Sequence, residues 1–169
     1  METMKIPARA DVAAQDKWAI EDLFATDDDW RAALAAAKEF IPRVSAFCGR
    51  LGESAETLLD YLRLDDEISL AFDALVHYAQ RKSDEDTRVA AYQEMVSQVT
   101  RLAVELQSAA AFQTPELLAI LDDTLEGFYQ AAPELELYRR NIDRVRRRRE
   151  HVLSDKEEAL LATAGEMAA

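Results

Sequence analysis

A chain of 169 residues is long enough to enclose an apolar core, and its 49% hydrophobic content excludes a disordered tail. Only 4 glycines and 4 prolines are present, too few for the frequent tight turns of a many-stranded sheet. A formal net charge of −13, from 33 acidic and 20 basic residues, repels phosphate backbones and anionic lipid, which argues against nucleic acid or membrane as a partner.

Residues 1–25 carry Pro7 and scattered charges without helical period and read as an extended lead-in; 26–169 read as one helical domain. Thr26 is placed to cap a first helix, with Asp27, Asp28 and Asp29 against the positive end of its dipole. That helix should run through alanine-rich sequence to about Phe47, kinked or divided by Pro42. Ser54 is the next cap. Apolar residues then recur in steps of three and four at Tyr61, Leu64, Ile68, Ala71, Leu75 and Tyr78, one stripe of a long helix.

The polar stretch Ser83-Asp84-Glu85-Asp86 predicts a turn. The same rhythm returns at Val89, Tyr92, Val96, Val99, Ala103, Leu106 and Ala110, which makes an antiparallel helical hairpin. Thr114-Pro115-Glu116 predicts a fourth helix, capped by Thr114 and reaching about Gln130 with Gly127 as its weak point. Pro133 should open a fifth, through an arginine-rich stretch to about Arg149, and Ser154 with Glu157 forms a capping box for a sixth. The expected fold is all-α: an antiparallel bundle of about six helices.

Chemistry-bearing spacings are sparse. His77 precedes Tyr78 and His151 precedes Val152, so neither begins a His-Glu-x-x-His helix. Asp73 and His77 share a helix face and could share a proton or metal, but a structural hydrogen bond is the commoner outcome of such a pair. Cys48 has no Cys-x-x-Cys partner and reads as a small packing residue. A lone cysteine fits a reducing compartment. No apolar run approaches the roughly 18–20 residues needed to cross a bilayer, and the first residues lack the apolar centre of a signal peptide, so a cytoplasmic location is expected. Residues 139–149, RRNIDRVRRRR, hold seven arginines. They could bind phosphate. The abundance of acids favours bridging between acidic helix faces instead.

Four ordered stretches resemble the oligoendopeptidase F family of zinc metallopeptidases, relatives of thimet oligopeptidase. They are DKWAIEDLFATDDDW (residues 16–30), VSAFCGRLGESAETLLDYL (44–62), LVHYAQRKSDEDTRVAAYQ (75–93) and RRRREHVLSDKEEALLA (146–162). The resemblance implies a longer parent that hydrolyses short peptides at a zinc held by a His-Glu-x-x-His helix, with this region as one wall of the substrate channel. On that reading this chain holds no catalytic, cofactor-binding or metal residues. Zinc belongs to the parent, whose C-terminal catalytic domain and peptide substrates are the expected partners, and the isolated chain could self-associate through an exposed apolar face. A stand-alone helical adaptor is the alternative.

Overall fold

The computed structural model describes residues 9–147 and 149, and no strand occurs among them. The sixth expected helix, with Ser154 and Glu157, lies outside the described residues. Seven α-helices are described: α1 Asp27–Ala37, α2 Phe40–Ser45, α3 Ala55–Glu85, α4 Ala90–Ala109, α5 Gln113–Ala119, α6 Asp122–Ala131 and α7 Arg139–Arg146. The all-α expectation holds. The chain forms two compact units, one of residues 9–48 and 61–111, the other of residues 49–60 and 112–149.

In the first unit, residues 9–25 make three single-turn 3-10 segments, and Ile20 on the third is buried. Thr26 caps α1 as its position predicts, its hydroxyl accepting the Asp29 amide at 3.1 Å. Trp30, Leu34 and Ala37, at i, i+4 and i+7, form the buried face of α1. The predicted single helix is divided, but before Pro42 rather than at it. Pro42 is the third residue of α2, where the missing N–H has no intrahelical acceptor to lose.

Ser54 caps α3, its hydroxyl accepting the Thr57 amide at 3.1 Å. Leu75, Tyr78 and Ala79 of α3 pack with Met95, Val99, Leu102 and Leu106 of α4 around Trp30, and the apolar face of α4 therefore centres slightly away from the predicted stripe. Each fully buried large side chain in such a cluster contributes about 1.5–3 kcal/mol. The expected turn at 83–86 starts later than predicted. Ser83 to Glu85 stay helical because Ser83 is buried and its hydroxyl accepts the Gln93 amide at 2.9 Å. The reversal comes at Asp86, whose carboxylate accepts the Arg88 amide at 2.9 Å and its guanidinium at 2.7 and 2.8 Å. These bonds hold the Asp86 carboxyl down at about 2.

In the second unit, Gly49 takes a φ of +82°, a conformation that disfavours residues with a Cβ. The turn it opens is held by the Glu116 carboxylate, which accepts the amides of Gly49 at 2.5 Å and Leu51 at 3.0 Å. The predicted fourth helix is two helices. Neither Thr114 nor Gly127 has its expected role: α5 begins at Gln113 without a side-chain cap, and the break falls at Ile120-Leu121, where both residues are extended. Ile120 is buried there. Pro133 opens a 3-10 segment, Pro133–Leu137, and α7 follows from Arg139. Leu51, Leu58, Leu117, Leu125, Leu135 and Ile142 are buried in this unit.

Candidate functional site

The arginine-rich stretch is where the sequence concentrates unusual chemistry, and burial of Ile142 fixes how α7 presents it. Arg139 and Arg146 lie on the Ile142 side of α7 and find partners, as does Arg149 beyond its end. Arg139 meets Glu126 at 3.1 Å and Glu136 at 2.7 Å, and its guanidinium lies 3.7 Å from the centroid of the Tyr129 ring. Hydrogen bonds from Arg139, to Glu136 first and Glu126 second, hold its guanidinium protonated well above the ordinary range.

Arg146 donates to the Leu117 carbonyl at 2.7 Å and to Asp122, and Arg149 donates to the Leu118 carbonyl at 2.5 Å. These two arginines therefore serve the otherwise unpaired carbonyls at the end of α5. The sequence expectation that arginines bridge acidic faces of neighbouring helices is met at these three positions, through Glu126 and Asp122 of α6; the bonds to α5 carbonyls were not foreseen. Arg140, Arg144 and Arg147 are exposed. Beside them lies an open cleft of 620 Å³ lined by Asp122, Asp143, Arg146, Arg147 and Arg149.

A second polar cluster sits in the first unit, and sequence reading did not single it out. The Tyr78 hydroxyl donates to Asp27 at 2.8 Å, Lys82 approaches the same carboxylate at 3.1 Å, and the ammonium lies 5.6 and 4.9 Å from the ring centroids of Tyr78 and Tyr92. Arg9 joins Glu85 at 2.6 Å and Glu21 at 2.9 Å at the edge of the same 430 Å³ cleft. Burial opposes the charged form of Asp27 and of Lys82. Their mutual contact, with the Tyr78 hydrogen bond, outweighs it, so Asp27 lies below and Lys82 above its ordinary value. Burial first, and the bond to Asp27 second, raise the Tyr78 phenol above its usual value. The spacing from Tyr78 to Lys82 was the one available signal, a tyrosine and a lysine on one helix face.

This cluster gives a pH dependence with a definite sign. Tyr78 and Lys82 contribute stability that is complete below their ordinary values of 10.0 and 10.5 and is lost as pH rises through their higher folded values. Asp27 acts oppositely: its contribution is present above 3.8 and is lost as pH falls through its lower folded value. Tyr78→Phe should cost about 1 kcal/mol at neutral pH, the typical net value of one hydrogen bond. Its urea midpoint should also fall less steeply than that of the wild type above pH 10. Parallel alkaline profiles for the two proteins would contradict the assignment.

The remaining sequence candidates do not converge. Asp73 and His77 lie exposed on α3, without a hydrogen bond between them, and His151 lies outside the described residues. Cys48 is exposed, a correction to its expected packing role: the chain turns at Phe47 to Gly49 and leaves the thiol at the surface. No three His, Cys, Asp or Glu side chains gather as a metal site among the described residues. No described helix is long and apolar enough to cross a membrane. An apolar groove of 220 Å³ runs between α3 and α4, lined by Phe72, Val76, Ala79, Val96, Val99 and Ala103 with Gln80 and Thr100.

A family described as Oligopeptidase F matches residues 116–169. The chain is similar to oligopeptidase PepF of Bacillus subtilis (strain 168), 39% identical over 163 residues, a match covering 96% of this chain and 24% of that protein. Group B oligopeptidase PepB of Streptococcus agalactiae serotype III (strain NEM316) is 30% identical over 159 residues, covering 94% of this chain and 26% of that protein. Among solved structures, oligoendopeptidase-F from Enterococcus faecium matches with a TM-score of 0.69 and 28% identity, over 83% of this chain and 27% of that one. A structure from Chlamydophila abortus shares the fold with a TM-score of 0.80 at 23% identity, over 95% of this chain and 27% of that one. The chain spans about a quarter of the length of the curated relatives it matches.

Proposed function

Because the chain belongs to the oligoendopeptidase F family and corresponds to the N-terminal part of its members, we propose that it is the helical, non-catalytic N-terminal domain of a zinc-dependent oligoendopeptidase. The observation that carries this reading is the 39% identity to PepF across 96% of this chain, confined to 24% of the relative. A match that spans nearly all of this chain and only a quarter of the relative supports a domain of a longer enzyme. The domain takes in residues 26–169 together with the segment before them, because Ile20 is buried in the core of the first unit and Arg9 pairs with Glu85 of α3.

In the parent, a zinc site outside these residues would supply an activated water for hydrolysis of short peptides. The domain's part is steric: its helices form a section of the channel wall that admits short peptides and excludes folded chains. The C-terminal catalytic domain of the same protein is its partner, and the apolar groove between α3 and α4 supports packing of that kind. A reducing cytoplasm suits a chain with a single, exposed cysteine.

The test is a peptidase assay on the purified 169-residue chain, using an internally quenched nonapeptide with and without added zinc. No turnover above that of a mock purification is expected. Zinc-dependent cleavage that a chelator abolishes would overturn the non-catalytic assignment.

A further inference from the structure

The arginines of the α7 region divide into two sets by helix phase. Arg139, Arg146 and Arg149 are committed to carboxylates and backbone carbonyls. Arg140, Arg144 and Arg147 follow one another at i, i+4 and i+7, which places them on one face about a turn apart. All three are exposed, and none forms an ion pair among the described residues. The one acidic side chain of α7, Asp143, lies at the edge of this stripe, and its backbone carbonyl receives a long 3.5 Å contact from the Arg147 Nε. Three arginines against one aspartate leave an excess of two positive charges on a solvent-facing helix of a protein whose net charge is −13. Like charges one turn apart repel, so the stripe works locally against its own helix. A local rule broken in this way, without compensation among the described residues, is expected at an interaction surface.

We propose that Arg140, Arg144 and Arg147 form a docking stripe for an acidic segment of a protein partner, one that presents carboxylates about one helical turn apart. The chemistry of the other face of α7 supports carboxylate as the ligand. Arg139 already takes Glu126 and Glu136 with both of its terminal nitrogens, and a guanidinium forms paired hydrogen bonds with a carboxylate in that geometry. The outward set offers the same groups with no ion-paired acid among the described residues. Two observations weigh against a nucleic acid in this place. The aromatic rings nearest in sequence, Tyr129 and Tyr138, are buried, so no ring is offered to stack a base. A long polyphosphate would also meet the negative field of the rest of the chain, whereas a short acidic segment engages the stripe alone. This inference is independent of whether the parent is a peptidase.

Fluorescence anisotropy of the full 169-residue chain tests it. The probe is a fluorescein-labelled, alanine-based helical peptide with glutamates at i, i+4 and i+7; its glutamine counterpart and a single-stranded oligodeoxythymidine of equal charge are the comparisons. The glutamate peptide should bind, and the glutamine peptide should not. Binding should weaken by about tenfold or more in R140E/R144E/R147E and in the milder R140Q/R144Q/R147Q, and with salt raised to several tenths molar. Circular dichroism of both variants confirms that the helices remain, since the arginines that hold α5 are untouched. Tighter binding of the oligonucleotide would overturn the proposal in favour of phosphate. A dimer of the unmodified chain that the variants abolish would assign the stripe to a second copy and overturn it as well. So would absent peptide binding, or peptide binding that ignores both variants.

Discussion

Trp30→Ala is expected to destabilise the first unit by about 3–5 kcal/mol, the range for truncating a fully buried large aromatic side chain. Trp30 has no exposed surface, and its indole N–H donates to the Leu75 carbonyl at 3.0 Å across 45 residues of sequence. It therefore joins α1 to the α3 and α4 hairpin by packing and by a directed bond. A loss of this size is comparable to the whole stability of many small domains, so the variant should melt early and with reduced cooperativity. Trp30→Phe separates the two contributions. It keeps most of the apolar volume and gives up the donor, and about 1–2 kcal/mol is expected. Urea unfolding followed by circular dichroism reads both variants, because the substitution removes the buried fluorophore. An alanine variant within about 0.5 kcal/mol of wild type, a margin ordinary for surface positions, would show that the α1 contact does not organise this core.

The second large effect is expected at Arg146. Its side chain retains 10% exposure, and it donates to the Leu117 carbonyl at 2.7 Å as well as to Asp122. Asp122 is itself well exposed, so the ion pair contributes little. The cost of Arg146→Ala comes from the unserved end of α5 and the lost packing of the arginine stem, together about 1.5–3 kcal/mol. Arg146→Lys should recover only part of it, because an ammonium cannot reach the carbonyl and the carboxylate in one planar fork. Both tryptophans, Trp18 and Trp30, lie in the first unit, so their fluorescence is a poor reporter. Hydrogen exchange of the α5 amides is the appropriate measurement. Faster exchange in α5 with the α3 and α4 core unchanged is expected; unaltered protection in α5 would refute the capping role.

What could be read from the sequence divides by the range of the interactions. Thr26 and Ser54 cap their helices as predicted because a cap is settled by groups three residues apart. The hairpin was legible because steps of three and four fix a helix face without reference to anything distant. The misplaced boundaries have long-range causes. Ser83 to Glu85 look like a turn but stay helical because Gln93, ten residues on, bonds the buried Ser83 hydroxyl. The division at Ile120-Leu121 has no glycine or proline to announce it; arginines at 146 and 149 receive the carbonyls that the helix end releases.

The same limit applies to the surface chemistry. Seven arginines in eleven residues were obvious as composition. Their separation into inward clamps and an outward stripe required the helix phase that Ile142 sets by its burial. The cluster of Asp27, Tyr78 and Lys82 joins residues 51 positions apart and left only a weak local trace. Family likeness was more accessible, because four ordered motifs along the chain survive without any knowledge of which residues touch.

The proposal that these residues are one domain of a longer zinc peptidase is tested most directly by the genomic reading frame beyond the codon for Ala169. The expected result is an in-frame continuation that encodes a His-Glu-x-x-His helix in a protein about four times the length of this chain, as the relatives' coverage implies. A stop codon directly after Ala169, with no such motif in frame, would contradict it.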